Sequence, residues 1–102
     1  MFELIEERRG EVEELCRRYH VGRLELVGSA AAGNFDPAAS DLDFLVDFST
    51  LSPPDRADAY FGLLHGLEDL FRCKVDLITK EAIRNRWFVR SIDPQRKLLY
   101  AA

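Results

Sequence analysis

The feature that most constrains this 102-residue chain is a Gly-Ser pair followed, after an eleven-residue spacer, by an Asp-x-Asp pair. Residues Arg23–Val27 alternate, which predicts a strand that stops at Gly28. Ser29 then begins a short alanine-rich helix, and residues 42 to 48 form a second predicted strand. Such a turn places backbone N–H groups and a hydroxyl at a helix N-terminus. Gly28 and Ser29 therefore form a candidate anion site, best suited to phosphate.

The second predicted strand carries two carboxylates on one face. Side chains alternate along a strand, so Asp41 and Asp43 project to the same side. The opposite side is apolar, as a buried core requires, with Leu42, Phe44, Val46 and Phe48. Asp76 adds a third carboxylate, in a predicted strand over residues 74 to 78.

Each element has an ordinary interpretation when it is taken alone. The Gly-Ser pair could be a helix cap, the Asp-x-Asp pair could cap a loop, and Asp76 could be a paired edge charge. Together they combine a phosphate-binding turn with three carboxylates. Mg²⁺ favours a few carboxylates plus substrate phosphates, and two such ions about 3.5–4 Å apart commonly promote displacement at phosphorus. The combination therefore indicates nucleotidyl or phosphoryl transfer.

Helices are predicted on either side of these strands. Apolar residues at helical spacing predict one helix from Glu3 to His20. A second helix is predicted to start at Ser52, as its cap, and to run to about Phe71. Gly62 and Gly66, four residues apart within it, indicate close packing. Residues 96 to 100 are a predicted edge strand.

Composition narrows the class of protein. The length predicts a single domain over residues 1–102. The formal net charge of -4 disfavours binding of long nucleic acid through phosphate neutralisation. No apolar run approaches the roughly 20 residues of a membrane span. Cys16 and Cys73 are far apart, and the acidic N-terminus is no signal peptide, so we expect a cytoplasmic protein.

Three segments carry a family resemblance. Gly28-Ser29, Asp41-Leu42-Asp43 and Val75-Asp76-Leu77 resemble the minimal nucleotidyltransferases of the DNA polymerase β superfamily. The resemblance implies an α/β fold with a small mixed sheet of three to four strands and helices packed on it. It also implies that the Gly-Ser turn contacts ATP and that all three aspartates bind Mg²⁺ in a two-metal site. The third aspartate would also help to deprotonate the acceptor hydroxyl.

The resemblance also implies a partner. Larger members of the superfamily hold the acceptor with a second domain, which we do not find in this sequence, so we expect another protein to supply the acceptor. Minimal nucleotidyltransferases pair with small helical HEPN toxins and neutralise them, by AMP transfer to a toxin tyrosine or by binding. Trp87 and Phe88 are candidate anchors for such a partner, or core residues. The leading hypothesis is an Mg²⁺-dependent antitoxin that transfers AMP.

Two departures from the family pattern favour an alternative. The family often has a basic residue where this chain has Ala30, and the spacer before Asp41 is one residue longer than expected. Both differences favour a non-catalytic antitoxin that retains the fold and binds its partner. Arg23, Lys80 and Arg84 could restore the missing charge or could form surface ion pairs. Transfer to a small molecule is a third option, and polymerisation of nucleic acid is disfavoured.

Overall fold

A four-stranded mixed sheet forms the centre of the protein. The structure is a computed structural model that describes residues 2–28, 31, 42–48, 51–80 and 96–102. The strands are β1 (Arg23–Val27), β2 (Leu42–Asp47), β3 (Val75–Thr79) and β4 (Lys97–Ala101). They lie in the order β3-β2-β1-β4, with β1 antiparallel to both neighbours and β2 parallel to β3. This architecture confirms the expected α/β fold, and the last strand lies at an edge as predicted.

The N-terminal helical segment contains a break that the sequence did not predict. Helix α1 spans Phe2–Glu7 and α2 spans Arg9–Arg18, so the prediction of a single helix is wrong at Arg8. Arg8 has φ -101° and ψ 14°. Its backbone N–H donates to the carbonyls of both Leu4 and Ile5, at 3.1 Å each, which keeps the two segments joined.

Helix α3 (Pro53–Phe71) begins and ends close to the predicted positions, but its N-terminus is built differently. The Ser52 hydroxyl donates to Asp55 Oδ2 at 2.7 Å and caps no backbone N–H. Pro53 and Pro54 occupy the first two helical positions and have no N–H groups, which removes two of the donors that a cap would satisfy. Within the described residues, no helix is long and apolar enough to cross a membrane.

The sheet has a core face and a second face of different character. On the core face, strand residues pack against the helices, and the buried cluster includes Leu24, Leu26, Phe44, Val46, Leu63, Leu67, Leu77 and Leu99. The second face holds a smaller buried cluster of Val27, Leu45 and Ile78. The alternation predicted for β2 is therefore observed, and its acidic side chains lie on the second face.

Close packing of α2 on α3 depends on two glycines. A Cβ built on Gly62 would lie 2.7 Å from Cζ and 2.9 Å from Cδ1 of the Tyr19 ring, with Cε1 closer still. A Cβ on Gly66 would lie 2.7 Å from Cδ2 of Leu15. Both distances are shorter than van der Waals contact. The expectation that this glycine pair marks a close helix approach is thus met.

Two alanine substitutions should have opposite effects on stability. Gly10→Ala should raise the free energy of unfolding by about 0.5–1 kcal/mol, since alanine is the better helix former and no atom lies within 4 Å of the new methyl group. Gly62→Ala should lower it by about 1–2 kcal/mol, because overlap with the Tyr19 ring outweighs the same propensity gain. Urea unfolding measures both values. Stabilisation by both substitutions would show that the Tyr19 ring yields without cost.

Candidate functional site

Two of the predicted carboxylates lie side by side in the sheet. Asp43 on β2 and Asp76 on β3 are register partners in the parallel pair, so their side chains project from the same face. Adjacent strands are about 4.8 Å apart, which brings both carboxylates within reach of one shared cation. The Asp43 side chain is partly buried and Asp76 is exposed. This end of the second face is therefore acidic and accessible.

Gly28 closes the site from the β1 side. Val27, the preceding residue, is the register partner of Asp43 across the antiparallel pair. Gly28 has φ +69°, in the left-handed region that glycine tolerates best. A Cβ on Gly28 would lie 3.2 Å from Cγ of Asp43, and closer still to Oδ2. The Asp43 carboxylate thus occupies the space that a side chain at position 28 would need, so its close approach to the turn requires glycine.

The donor set fits a small divalent cation. Carboxylate oxygens are the ligands that Mg²⁺ prefers, and Asp43 and Asp76 supply them from adjacent strands. Among the residues with described positions, no group of three potential ligand side chains occurs. Asp41, the third carboxylate of the sequence-based prediction, lies outside the described residues, as does Ser29.

Tyr60 is a residue near the site whose role the sequence did not reveal. Its hydroxyl donates to the backbone carbonyl of Leu77 at 2.7 Å and so ties α3 to the edge strand β3 beside Asp76. Burial, and to a lesser extent the negative charge of Asp76, raise the pKa of the Tyr60 hydroxyl. The sequence analysis placed Tyr60 in the apolar stripe of its helix. The sequence offered one signal for this role, because the hydroxyl of a buried tyrosine needs a hydrogen-bond partner.

A group of ion pairs occupies the other end of the second face. Glu25 is only 6% exposed and pairs with Arg23 at 3.0 Å and with Arg96 at 3.2 Å. Lys80 lies 3.6 Å from Oδ2 of Asp47. The alternation of β1 did not indicate that its central glutamate would be buried.

These ion pairs show whether Arg23 or Lys80 could replace the basic residue that the family often has at the position of Ala30. Arg23 is the register partner of Asp47, four residues along β2 from Asp43, or roughly 13 Å at the usual strand rise. Arg23 and Lys80 therefore form the ion pairs that the sequence analysis weighed as their ordinary role. Three further residues named there, Arg84, Trp87 and Phe88, lie outside the described residues, as does Ala30 itself.

Comparison with known proteins agrees with the fold. A family model described as nucleotidyltransferase domain matches residues 9–100. The chain belongs to the nucleotidyltransferase family. This membership confirms the resemblance on which the enzyme prediction rested, and the protein is accordingly a nucleotidyltransferase.

Individual relatives are similar over most of the chain. The protein MJ1379 of Methanocaldococcus jannaschii, named a putative protein adenylyltransferase, is 35% identical over 91 residues, which cover 81% of this chain and 89% of that protein. A solved structure of a putative minimal nucleotidyltransferase is 30% identical, with a TM-score of 0.63, and covers 90% of this chain and 93% of its own.

A third comparison concerns the fold alone. It is the structure of a tri-AMPylated Shewanella oneidensis HEPN toxin in complex with its MNT antitoxin, matched at 19% identity and a TM-score of 0.63. The match covers 95% of this chain and 72% of the other.

Proposed function

We propose that this protein transfers AMP from ATP to a hydroxyl group of a protein partner, and that the partner is a HEPN-type toxin which the transfer neutralises. The observation that carries the proposal is the register of the sheet, which sets Asp43 beside Asp76 on one face with Gly28 against the first of them. The relative named as a protein adenylyltransferase supports the reaction. The complex with an AMPylated toxin supports the type of partner.

Each residue of the site has a role in this proposal. Gly28 and Ser29 would hold the triphosphate, through backbone N–H groups and a hydroxyl at the start of a helix. Asp41, Asp43 and Asp76 would hold Mg²⁺ ions, which when bound neutralise the charge that develops on the phosphates. Asp43 is fixed by its place within β2, with Val27 on one side and Asp76 on the other. Such fixed charges assist reaction because they need no reorganisation.

The proposed reaction forms one bond to the α-phosphorus of ATP and breaks another. The acceptor oxygen forms a bond to the α-phosphorus of ATP, and the bond from that phosphorus to the bridging oxygen of pyrophosphate breaks. Pyrophosphate leaves, and AMP remains joined to the partner through a phosphodiester bond. The exposed carboxylate of Asp76 is the group placed to accept the proton of the acceptor hydroxyl.

A second function is favoured by one observation. The cations Arg23 and Lys80 pair with carboxylates at the far end of the second face, roughly 13 Å from Asp43 and Asp76. Weak nucleotide binding would follow. The protein would then act as a non-catalytic antitoxin that uses the same fold to bind its partner.

A labelling experiment separates the two functions. The purified protein is incubated with Mg²⁺, with ATP labelled at the α-phosphate, and with the HEPN-type protein proposed as its partner. We expect label on the partner and an equal amount of released pyrophosphate, since the bond that breaks lies between the α- and β-phosphates. The readouts are gel autoradiography and a coupled pyrophosphate assay.

Two further measurements complete the experiment. One excludes a kinase reaction, and the other interprets a negative result. ATP labelled at the γ-phosphate should leave the partner unlabelled, which excludes a kinase reaction. Neutralisation of the partner without any α-label would assign the protein to the binding class. Absence of both label and complex formation would contradict the partner proposal as well.

A further inference from the structure

We propose that a charged cleft at the far end of the second face binds a carboxylate of the acceptor protein, about four residues from the hydroxyl that receives AMP. The inference rests on the proposed transfer to a protein, and it adds what the acceptor segment must look like. The cleft has a volume of about 230 Å³ and is lined, among the described residues, mainly by Arg23, Glu25, Asp47, Lys80 and Arg96.

A buried glutamate holds the two arginines of the cleft in place. Nε of Arg23 donates to Oε1 of Glu25 at 3.0 Å, and Nε of Arg96 lies 3.2 Å from Oε2. Each carboxylate oxygen therefore fixes one guanidinium group. The arginine side chains are still 50% and 40% exposed, whereas that of Glu25 is 7% exposed. Glu25 thus serves as an internal support, and the two guanidinium groups border the cleft.

The cleft has an excess of positive charge. Lys80 is 66% exposed and lies 3.6 Å from Oδ2 of Asp47, a carboxylate that is 19% exposed. With the two arginines, the described part of the lining holds three cations and two carboxylates, in a chain whose formal net charge is -4. The cationic side chains are also the more exposed members of each pair. An incoming group therefore meets positive charge first.

The chemistry of the lining favours an anion, because guanidinium groups bind carboxylates and phosphates alike. The triphosphate is proposed to lie at the Gly28 turn, at the opposite end of the second face, so the anion that remains for this cleft is a carboxylate of the acceptor. Guanidinium groups bind carboxylates in a planar, two-pronged geometry, and such charge-assisted hydrogen bonds are among the stronger ones. An adenine ring would be held by stacking on aromatic side chains. No aromatic side chain lines the cleft within the described part of the chain. The apolar part of the described lining consists of Leu45 and Val46, which are aliphatic.

The geometry of the sheet sets the spacing. Asp47 follows Asp43 by four residues within β2, and Lys80, the residue directly after β3, follows Asp76 by four. The two strands are parallel. At the usual strand rise this separation is roughly 13 Å. An extended peptide rises by the same amount per residue. An acceptor segment that is locally extended and runs along these strands, with its hydroxyl at Asp76, would thus place the side chain four residues away in the cleft.

Binding of short peptides to the full-length protein tests this spacing. Fluorescein-labelled peptides carry one tyrosine in a Gly-Ser-Ala background, with a glutamate four residues before or after it. Matched peptides carry glutamine at those positions, or glutamate directly beside the tyrosine. Fluorescence anisotropy at low salt, without ATP, should show about tenfold tighter binding for a glutamate four residues away, the loss expected when a charge-assisted hydrogen bond is removed.

Charge reversal identifies the surface that binds. Lys80→Glu should abolish the preference for glutamate and weaken binding of that peptide about tenfold. Arg18→Glu, at an exposed position of α2 on the opposite side of the sheet, serves as the matched control and should leave the preference unchanged. Circular dichroism checks that both variants fold. Equal binding of glutamate and glutamine peptides, or no binding at all, would overturn the proposal.

The same assay distinguishes other occupants of the cleft and keeps this inference apart from the transfer reaction. Competitive displacement of the glutamate peptide by ATP, or by a short single-stranded RNA with the same dependence on Lys80, would reassign the cleft and refute the proposal. The preference is measured without ATP, so it can hold even if no peptide is ever labelled. Labelling without any preference would support AMP transfer and reject the carboxylate site.

Discussion

Asp43→Asn protein should fold normally and transfer AMP at least about 10³-fold more slowly than the unmodified protein, because a fixed negative charge at a metal-binding position contributes several kcal/mol to the transition state. Asparagine keeps the shape of the side chain, so its contacts with Gly28 remain and only the charge is lost. Asp76→Asn, on the exposed register partner, should also slow transfer strongly. It should leave more of the nucleotide binding intact, since Asp76 is the residue assigned to the acceptor proton. Labelling of the partner with α-labelled ATP measures both rates.

The effect of Asp43→Asn can also be measured through metal binding. Millimolar Mg²⁺ with ATP should raise the melting temperature of the unmodified protein, since a ligand that binds only the native state stabilises it. Asp43→Asn should remove most of that increase. Asp58→Asn, at an exposed position of α3 on the opposite side of the sheet, is the matched control for loss of one charge. Full activity of the Asp43→Asn protein would reject the site.

Gly28→Ala is expected to reduce AMP transfer about 10²-fold or more and to lower the free energy of unfolding by about 1–3 kcal/mol. Two physical effects act together. Alanine is disfavoured at φ +69°, and its methyl group would overlap the Asp43 carboxylate. The carboxylate must then rotate away, or the turn must move, and either change misplaces the triphosphate relative to Asp43.

Gly10→Ala is the matched control for the turn substitution. Its methyl group meets no atom within 4 Å, so stability should rise slightly and transfer should not change. Measuring both stability and transfer rate also separates backbone strain at Gly28 from misplacement of the triphosphate. If Gly28→Ala lost stability but kept its transfer rate, the turn would have a structural role only, and the proposed triphosphate contact would be wrong.

The strands were predictable from sequence because their patterns are local. Alternation from Leu42 to Phe48 identified the apolar face of β2 and hence the face of Asp43, and the structure agrees. Which strand lies beside β2, and in which register, depends on packing across the whole sheet. A shift of one residue would send Asp76 to the core face. The expectation that the carboxylates converge therefore came from the combination of the three motifs and from the family resemblance, and no local pattern gave the register.

The features that were missed depend on tertiary contacts. The helical periodicity continues through Arg8, so it gave no sign of the break between α1 and α2. Glu25 occupies a polar position in an alternating strand, a pattern that normally predicts exposure. It is buried because Arg23, two residues away, and Arg96, the residue directly before β4, both pair with it. Arg96 is far from Glu25 along the chain, so no local sequence pattern could predict that pair.

The parallel pairing of β2 with β3 also determines when the site can form during folding. Asp43 and Asp76 are register partners, yet the whole of α3 separates them along the chain. Parallel strands need such a crossover, and contacts between residues far apart in sequence form late because closing the intervening loop costs entropy. The two carboxylates can therefore meet only once the chain has been made as far as β3 and β3 has paired with β2. A partly synthesised or partly folded chain keeps them apart and has no paired site with which to react.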